Sequence, residues 1–244
     1  MRIALITGAN KGIGLATAGR LARDGVHVIV AARKVEAAEE VAGELAAEGL
    51  SVGSVQLDVT DPASVSAAAA EVAERHGQLD VLVNNAGILP EATNQDPKEV
   101  LDLAMFEQTY ATNVLGPVAV TEAFLPLLRK SAEGRIVNVS SAMGSLAHQT
   151  DPSSPWHSMV VPAYQSSKAA LNAITIVLSK ALADTAIKVT SVCPGWVQTD
   201  LAPGNMEQAP LTPDEAAEVI ARAANLSTDE PTGTFVDASG PVSW

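Results

Sequence analysis

The stretch "RIALITGANKGIG", residues 2–14, decides the fold of this chain. Its first residues, 2–7, form a short apolar run that predicts a buried β-strand, and residues 11–25 continue as an amphipathic helix. The turn between them contains three glycines spaced G-x3-G-x-G: Gly8, Gly12 and Gly14. Glycines at such a turn allow the backbone to approach a pyrophosphate, and the helix N-terminus supplies amide donors for it. The stretch therefore predicts a dinucleotide-binding unit, with tight packing of the turn as the alternative explanation for the glycines.

The rest of the chain repeats this alternation of short apolar runs and longer amphipathic runs. The predicted strands are 2–7, 27–32, 51–59, 79–87, 134–141, 187–195 and 232–239. The predicted helices are 11–25, 35–49, 63–77, 98–130 with a break near Gly116-Pro117, 162–183 and 213–226. Strands that are continuous Val/Ile/Leu runs are buried on both faces, which indicates a parallel sheet covered by helices. We therefore expect one α/β domain over residues 1–244, a Rossmann-type doubly wound parallel sheet of seven strands with helices on both faces.

The bulk composition limits the classes of partner. The net charge of −13 disfavours nucleic acid and anionic membranes, because an acidic surface repels phosphate groups. The single cysteine, Cys193, allows no intrachain disulfide, and the four histidines show no metal-ligand spacing. No uninterrupted apolar run reaches the length of a membrane span. We expect a cytoplasmic protein with no metal, whose partner is a small molecule.

The end of the second strand, "VAARK", bears on the choice between NAD and NADP. A carboxylate there would bind a ribose 2′-hydroxyl, whereas an arginine suits a 2′-phosphate. Arg33 and Lys34 follow this strand at once, and Lys11 lies in the glycine turn, so we predict NADP(H). The alternative is that Arg33 and Lys34 are solvated loop charges. Asp58, at the end of the third strand, is a candidate for the adenine or for a cap of the following turn.

Six motifs occur in order over nearly the whole chain. They are the glycine turn 7–14, "NNAG" at 84–87, "TNVLG" with Asn113, "GRIVNVSSAMG" with Ser141, "YQSSK" with Tyr164 and Lys168, and "PGWVQTD" at 194–200. Together these motifs resemble the short-chain dehydrogenases/reductases. The forms "GANKGIG" and "FVDASGPVSW" are similar to the carbonyl reductase branch of that family.

The resemblance implies a catalytic role for four side chains: Asn113, Ser141, Tyr164 and Lys168. Tyr164 would be the acid in reduction, and an ammonium one helical turn away would lower the pKa of its phenol from about 10. Lys168 would also hold the nicotinamide ribose, Ser141 would hydrogen-bond the carbonyl oxygen, and Asn113 would hold a water that passes protons to Lys168. From spacing alone, a tyrosine and a lysine four residues apart are also compatible with chance.

The resemblance also implies a set of cofactor-binding residues. They are Gly8, Asn10, Lys11, Gly12, Ile13, Gly14, Arg33, Asp58, Val59, Asn85, Ala86, Gly87, Tyr164, Lys168, Pro194, Gly195, Val197 and Thr199. Asn84 would tie neighbouring strands together, and Cys193 is expected to be a small core residue.

The interval from Ser141 to Tyr164 spans 23 positions and is longer than is usual in the family. The extra residues fall in 147–160, which is rich in Pro and Ser and is predicted to be a loop. In the carbonyl reductase branch such an insertion accompanies monomeric enzymes, so a monomer is favoured over a homodimer or homotetramer. The candidate substrate contacts are Met143, His148, Trp156, His157, Met159, Trp196 and Met206, with ordinary loop packing as the alternative for each.

The activity that the resemblance implies is NADPH-dependent reduction of a ketone, aldehyde or quinone carbonyl to an alcohol. Two alternatives are an alcohol dehydrogenase working in the oxidative direction in a biosynthetic pathway and a non-catalytic NADP(H)-sensing protein. Regulatory relatives often lose the Tyr/Lys pair. This chain keeps the pair, which favours an enzyme.

Overall fold

The computed structural model describes residues 1–94, 98 and 100–244. Its strands are β1 (Ile3–Thr7), β2 (His27–Ala32), β3 (Val52–Gln56), β4 (Val81–Asn84), β5 (Arg135–Val139), β6 (Lys188–Val192), β7 (Thr234–Asp237) and β8 (Gly240–Pro241). They form one sheet in the order β3-β2-β1-β4-β5-β6-β7-β8. The first seven strands are parallel, which confirms the predicted fold class.

The prediction of seven strands was wrong by one. An eighth strand, β8, pairs antiparallel with β7 through Val236–Pro241 and Asp237–Gly240. Gly240 has a φ of +133°, which allows the chain to reverse directly after β7. A two-residue strand has no periodicity that a sequence pattern can register.

The helices are α1 (Gly12–Arg23), α2 (Val35–Ala47), α3 (Pro62–His76), α4 (Leu103–Tyr110), α5 (Gly116–Leu128), α6 (Leu146–Thr150), α7 (Pro162–Ala181), α8 (Asn205–Gln208) and α9 (Pro213–Ala224). Local signals in the sequence explain their ends. Asp61 caps α3 by accepting from the Ala63 N–H, and Gly77 ends the helix with a φ of +75°. Thr212 and Glu215 form a capping box at the start of α9.

The helical region predicted over 98–130 differs in detail. Glu99 lies outside the described residues, and the first described helix there begins at Leu103. Between α4 and α5 the backbone widens into one π-helical turn, Ala111–Leu115. Pro117 has no N–H to give to the carbonyl of Asn113, its partner in a regular α-helix, so the regular pattern cannot continue there.

Two apolar clusters cover the two faces of the sheet. One packs side chains of α1, α2 and α9 against it, and the other packs those of α3 and α5. Among the described residues, the stretch Leu103–Leu128 is long and apolar enough to cross a membrane. Half of its most apolar part, 18 residues long, is buried, and α4 packs on α7 while α5 packs on α3. It is a core helix of this fold.

The strand order reverses direction between β1 and β4. Because β1 and β4 are parallel, both carboxyl ends meet at the same edge, and a crevice opens where the connections leave in opposite directions. The glycine turn follows β1 and the "NNAG" segment follows β4, so the topology brings both to this crevice.

Candidate active site

The glycine turn forms a cradle that side chains would fill. Gly8 and Gly12 have φ values of +63° and +55°, which strain any residue with a Cβ. A Cβ on Gly14 would lie 2.5 Å from the Asn85 Nδ2 and 2.5 Å from the Gly8 oxygen. The turn thus needs glycine at each position, and its backbone is open to close approach. A dinucleotide pyrophosphate fits such a cradle at the N-terminus of α1.

The loop after β4 is locked onto this turn. Asn85 Nδ2 donates to the carbonyl of Thr7 at 2.8 Å and to that of Gly8 at 3.2 Å. In return, the Thr7 hydroxyl accepts from the N–H groups of Asn85 and Ala86, each at 3.0 Å. In the same motif, Asn84 donates to Asn138 Oδ1 at 2.9 Å, so it ties β4 to β5.

The segment after β6 crosses the glycine turn from the other side. Lys11 forms an ion pair with Asp200, and both side chains are exposed. A Cβ on Gly12 would lie 3.3 Å from Thr199 Cγ2. The predicted cofactor residues of the two segments are therefore neighbours, and Lys11 already has a carboxylate partner in this structure.

Five further cofactor candidates shape these segments. Asn10 and Ile13 are partly buried within the glycine turn. Pro194 follows Cys193, and Gly195 has a φ of +89°, where a Cβ would lie 2.6 Å from Leu211. Val197 is buried and pairs with Leu211 in an isolated β-bridge, which holds the segment in place.

The region after β2 and β3 shows where the other candidates lie. Arg33 is exposed, and its carbonyl accepts from Gln56 at 3.1 Å. Asp58 Oδ1 accepts from the N–H and hydroxyl of Thr60 at 2.9 and 2.7 Å, so it caps the following turn. Val59 is buried against Gly116, where a Cβ would lie 2.9 Å from Val59 Cγ2.

Three of the predicted catalytic side chains converge at the carboxyl end of β5. Tyr164 and Lys168 lie on α7, with 6% and 5% of their surfaces exposed. The Ser141 side chain lies close enough to the Tyr164 phenol to lower its pKa. Lys168 Nζ donates to the carbonyl of Val139 at 2.9 Å and lies 5.5 Å from the Tyr164 ring centroid. Tyr164 and Lys168 thus share one face of α7, as their spacing of four residues predicts.

Asn113, the fourth, lies buried in the π-helical turn. Its Oδ1 accepts from the Ile88 N–H and its Nδ2 donates to the Ile88 carbonyl, both at 2.9 Å, while Nδ2 also contacts Ser167 Oγ at 3.2 Å. The side chain is therefore engaged with protein atoms. The predicted water would instead have to bind the Asn113 carbonyl, which loses its usual helical donor at Pro117.

Burial governs the acidity of the pair. It raises the pKa of the Tyr164 phenol above its ordinary value, and the Ser141 side chain lowers that pKa by less. Burial also lowers the pKa of Lys168 to about 8. In the chain by itself burial has the larger effect on the Tyr164 phenol, because it removes the phenolate from water, and the lowering of that pKa by Lys168 stays a prediction.

The segment predicted as a loop, 147–160, contains helix as well. Ser145 Oγ accepts from the His148 N–H at 3.1 Å and starts α6, which ends at Thr150. Serine is a strong N-cap residue, but one turn of helix among Pro and Ser is too short for a periodic pattern. Met143 is buried next to Ser141, whose Oγ accepts the Met143 N–H at 3.1 Å.

Several candidate substrate residues hold this segment together. His148 Nδ1 lies 3.4 Å from Ser154 Oγ, and His157 Nδ1 lies 2.9 Å from the Gln149 carbonyl. Trp156 packs on the cluster formed by Ala142, Cys193 and Phe235. These three contacts match the alternative of loop packing.

The remaining candidates are more open. Trp196 Nε1 donates to Asn205 at 2.9 Å, with 43% of Trp196 exposed. Met159 and Met206 are exposed as well.

Residues 146–160, the outer segment, also contact the C-terminal end of the chain. The Ala147 N–H donates to the Trp244 carbonyl at 3.0 Å, and the Trp244 ring stacks on Phe235 with centroids 5.5 Å apart. Cys193 is buried beneath them and accepts from the Ala142 N–H at 3.2 Å, as expected for a core residue.

Sequence reasoning missed one polar residue at the site, Glu91. Its carboxylate accepts from the N–H groups of Ala163 and Tyr164, at the start of α7. The partners are 72 and 73 positions away, so no local spacing could reveal the contact.

A glycine cradle at the sheet crevice, beside Ser141 and the buried Tyr164 and Lys168, is the arrangement expected of a nucleotide-dependent oxidoreductase. The family model of the short chain dehydrogenases matches residues 2–209, and the chain belongs to this family, whose members use NAD(P)(H).

Two curated relatives match almost the full chain. A short-chain dehydrogenase, anuI, from Penicillium roqueforti is 38% identical over 242 residues, covering 96% of this chain and 93% of the relative. A (+)-neomenthol dehydrogenase from Arabidopsis thaliana is 33% identical over 287 aligned positions, covering 96% and 95%. Among solved structures, the NADPH-bound carbonyl reductase from chicken fatty liver is 32% identical, with a TM-score of 0.86 and full coverage of both chains.

Proposed function

We propose that this oxidoreductase uses NADPH to reduce a ketone, aldehyde or quinone carbonyl to an alcohol, with Tyr164 as the proton donor. The observation that carries the proposal is the contact of Ser141 with the Tyr164 phenol beside Lys168, at the sheet edge that also holds the glycine cradle. When bound, NADPH supplies the hydride.

The chain's own groups then handle the carbonyl oxygen and the proton. Ser141 hydrogen-bonds the carbonyl oxygen and stabilises the charge that develops there. The Tyr164 phenol gives its proton to that oxygen, and its raised pKa keeps it protonated near neutral pH, which suits the reductive direction. Lys168, with a pKa of about 8, can release or accept a proton near the working pH and holds the ribose.

The preference for NADP(H) rests on charge. Arg33 and Lys34 are exposed directly after β2, where a 2′-phosphate would lie, and no carboxylate stands there. The chicken carbonyl reductase is described as NADPH-bound, which supports the same choice. The glycine turn, Asn85–Gly87 and the segment Pro194–Thr199 would hold the remainder of the cofactor.

The substrate is proposed to be a small, largely apolar carbonyl compound. The names of the relatives, a neomenthol dehydrogenase and a carbonyl reductase, support small alcohols and carbonyls. Exposed apolar side chains at Met159, Trp196 and Met206 support an apolar contact surface. We also propose a cytoplasmic monomer.

The test is turnover of a carbonyl panel with NADPH or NADH, followed by nicotinamide absorbance. Tyr164→Phe should lose at least about 100-fold in kcat while NADPH binds as before, because the proton donor is gone and the cradle is intact. Tyr110→Phe, the chain's other tyrosine, is the control and should retain activity. Faster turnover with NADH would refute the cofactor choice, and an active Tyr164→Phe variant would refute the mechanism.

A further inference from the structure

Glu91 caps the helix that carries Tyr164 and Lys168. It lies half-buried in a short 3-10 helix, Pro90–Thr93, which follows β4. One carboxylate oxygen accepts from the Ala163 N–H at 3.0 Å, and the other accepts from the Tyr164 N–H at 2.8 Å. The second of these donors is the backbone of the proposed proton donor itself.

Within residues 1–94, 98 and 100–244, no other side chain accepts from these donors at the start of α7. The first N–H groups of a helix lack intrahelical partners, and Pro162 contributes no N–H at all. The N-cap residue, Val161, makes no side-chain cap, and the first regular helical bond is from Gln165 N–H to its carbonyl at 2.9 Å. Ala163 and Tyr164 are therefore the two donors left over, and Glu91 takes both.

The same loop also contacts the other proposed catalytic residues. Ile88 is bonded through both its N–H and its carbonyl to the side chain of Asn113. A Cβ on Gly87 would lie 3.5 Å from Asn113 Oδ1 and 3.6 Å from Lys168 Nζ. Residues 85–91 thus form a bracket that runs from the glycine cradle to the first turn of α7.

We propose that Glu91 is a positioning residue, which fixes Tyr164 in its reactive place and sets the acidity of its phenol. The inference rests on the proposed function. Bonds from both carboxylate oxygens to consecutive N–H groups fix the position of the Tyr164 backbone, and small displacements of a reacting group cost much rate.

The negative charge of Glu91 is what affects the acidity of the Tyr164 phenol. The positive end of the α7 dipole favours the phenolate, and a carboxylate at that end offsets it. Lys168 on α7 and Cys193 after β6 also face the phenol, and α4, which contains Glu107 and Tyr110, packs on α7. These groups are unchanged in a Glu91 variant, so the difference between variants reports Glu91 alone.

The test compares Glu91→Gln, Glu91→Asp and Glu215→Gln. Glutamine keeps one acceptor and loses the charge, whereas aspartate keeps the charge on a shorter arm. Glu215 is the matched control, because its carboxylate also caps a helix: it accepts from the Thr212 N–H at 2.8 Å at the start of α9. Helix α9 carries none of the proposed catalytic residues. Thermal unfolding of all three variants measures the loss that capping alone produces.

Two readouts distinguish positioning from simple capping. In Glu91→Gln we expect kcat to fall about 10- to 100-fold with NADPH affinity nearly unchanged, and Glu91→Asp to recover part of it. In a Tyr110→Phe background only Tyr164 contributes phenolate absorbance, and Glu91→Gln should make it ionise at lower pH, with circular dichroism marking the pH up to which the chain stays folded. Glu215→Gln should change neither.

Equal kcat and equal phenol ionisation in Glu91→Gln and the unsubstituted chain would overturn the inference, even if both cap variants lose the same stability. Failure of the proposed function looks different. If no carbonyl is reduced by the unsubstituted chain, the absorbance titration still measures the effect of Glu91 on the phenol.

Discussion

Replacing Lys168 by methionine should make the folded chain more stable near neutral pH while abolishing turnover. Lys168 is 5% exposed, and its ammonium has one described hydrogen bond, to the carbonyl of Val139. A buried ammonium with one hydrogen bond and one aromatic ring 5.5 Å away is poorly compensated for the water it has lost. Methionine has similar length and no charge to bury.

The size of the gain follows from the pKa of Lys168, which burial lowers from 10.5 to about 8. At about 1.4 kcal/mol per pH unit, that fall corresponds to about 3 kcal/mol of unfolding free energy at pH 7. Loss of the bond to Val139 returns about 1 kcal/mol. We expect a net gain of about 2 kcal/mol, or about 4 to 8 °C in Tm for a chain of this size.

The gain has a definite pH dependence. Between pH 8 and 10.5 the unfolded chain holds the Lys168 proton and the folded chain does not, so the native protein becomes more stable as the pH rises through this window. The advantage of Lys168→Met should therefore be complete at pH 7 and shrink above about 8. Above pH 10 the raised pKa of Tyr164 makes both proteins lose stability together, so measurements stop below that value.

Differential scanning calorimetry from pH 7 to 9.5 measures this gain. Lys180→Met is the matched control, because Lys180 lies on the same helix and is exposed, and its Tm should barely change. The reasoning fails if Lys168→Met is less stable than the unsubstituted chain at pH 7, or if its advantage is the same at pH 7 and pH 9.5.

Two other predictions concern stability and the cradle. The rings of His27 and His76 lie 5.0 Å apart, and burial lowers the pKa of each. The unfolding free energy should therefore fall as the pH drops below about 6.5, because the unfolded chain then binds more protons. His76→Asn should reduce this loss between pH 7.5 and 5, and an unchanged loss would contradict the account. Gly14→Ala would place its Cβ 2.5 Å from Asn85 Nδ2 and should lower the unfolding free energy by about 1–3 kcal/mol, measured by thermal unfolding. It should also weaken NADPH binding, measured by titration calorimetry. Gly43→Ala on α2, with no described atom within 4 Å of the new Cβ, is the control and should instead stabilise the helix by about 0.5–1 kcal/mol.

The fold could be predicted because its signals are local. The buried strands are continuous apolar runs, and Asp61, Gly77 and the capping box at Thr212 mark helix ends within a few residues of each end. The π-helical turn falls next to the predicted break, because Pro117 signals an interruption but not its form. The edge strand β8 was missed because two residues carry no pattern.

The site could be predicted only in part. The motif residues Ser141, Tyr164 and Lys168 do meet, as the family resemblance implied. Neither the cap from Glu91 nor the effect of burial on acidity could be predicted, because both depend on which distant segments pack around α7. For the same reason Asp58 left two interpretations open until its bonds to Thr60 were visible.

The way the outer segment is fastened has a consequence for how such a protein can diversify. Residues 146–160 are bonded largely to one another, to the layer around Phe235 and Trp244 through Ala147 and Trp156, and to α7 through the Met159 carbonyl, which accepts from Gln165 Nε2 at 3.1 Å. The Tyr164 N–H, in contrast, donates to Glu91, which lies outside this segment. Substitutions within residues 146–158 would therefore leave the bond from the Tyr164 N–H to Glu91 in place.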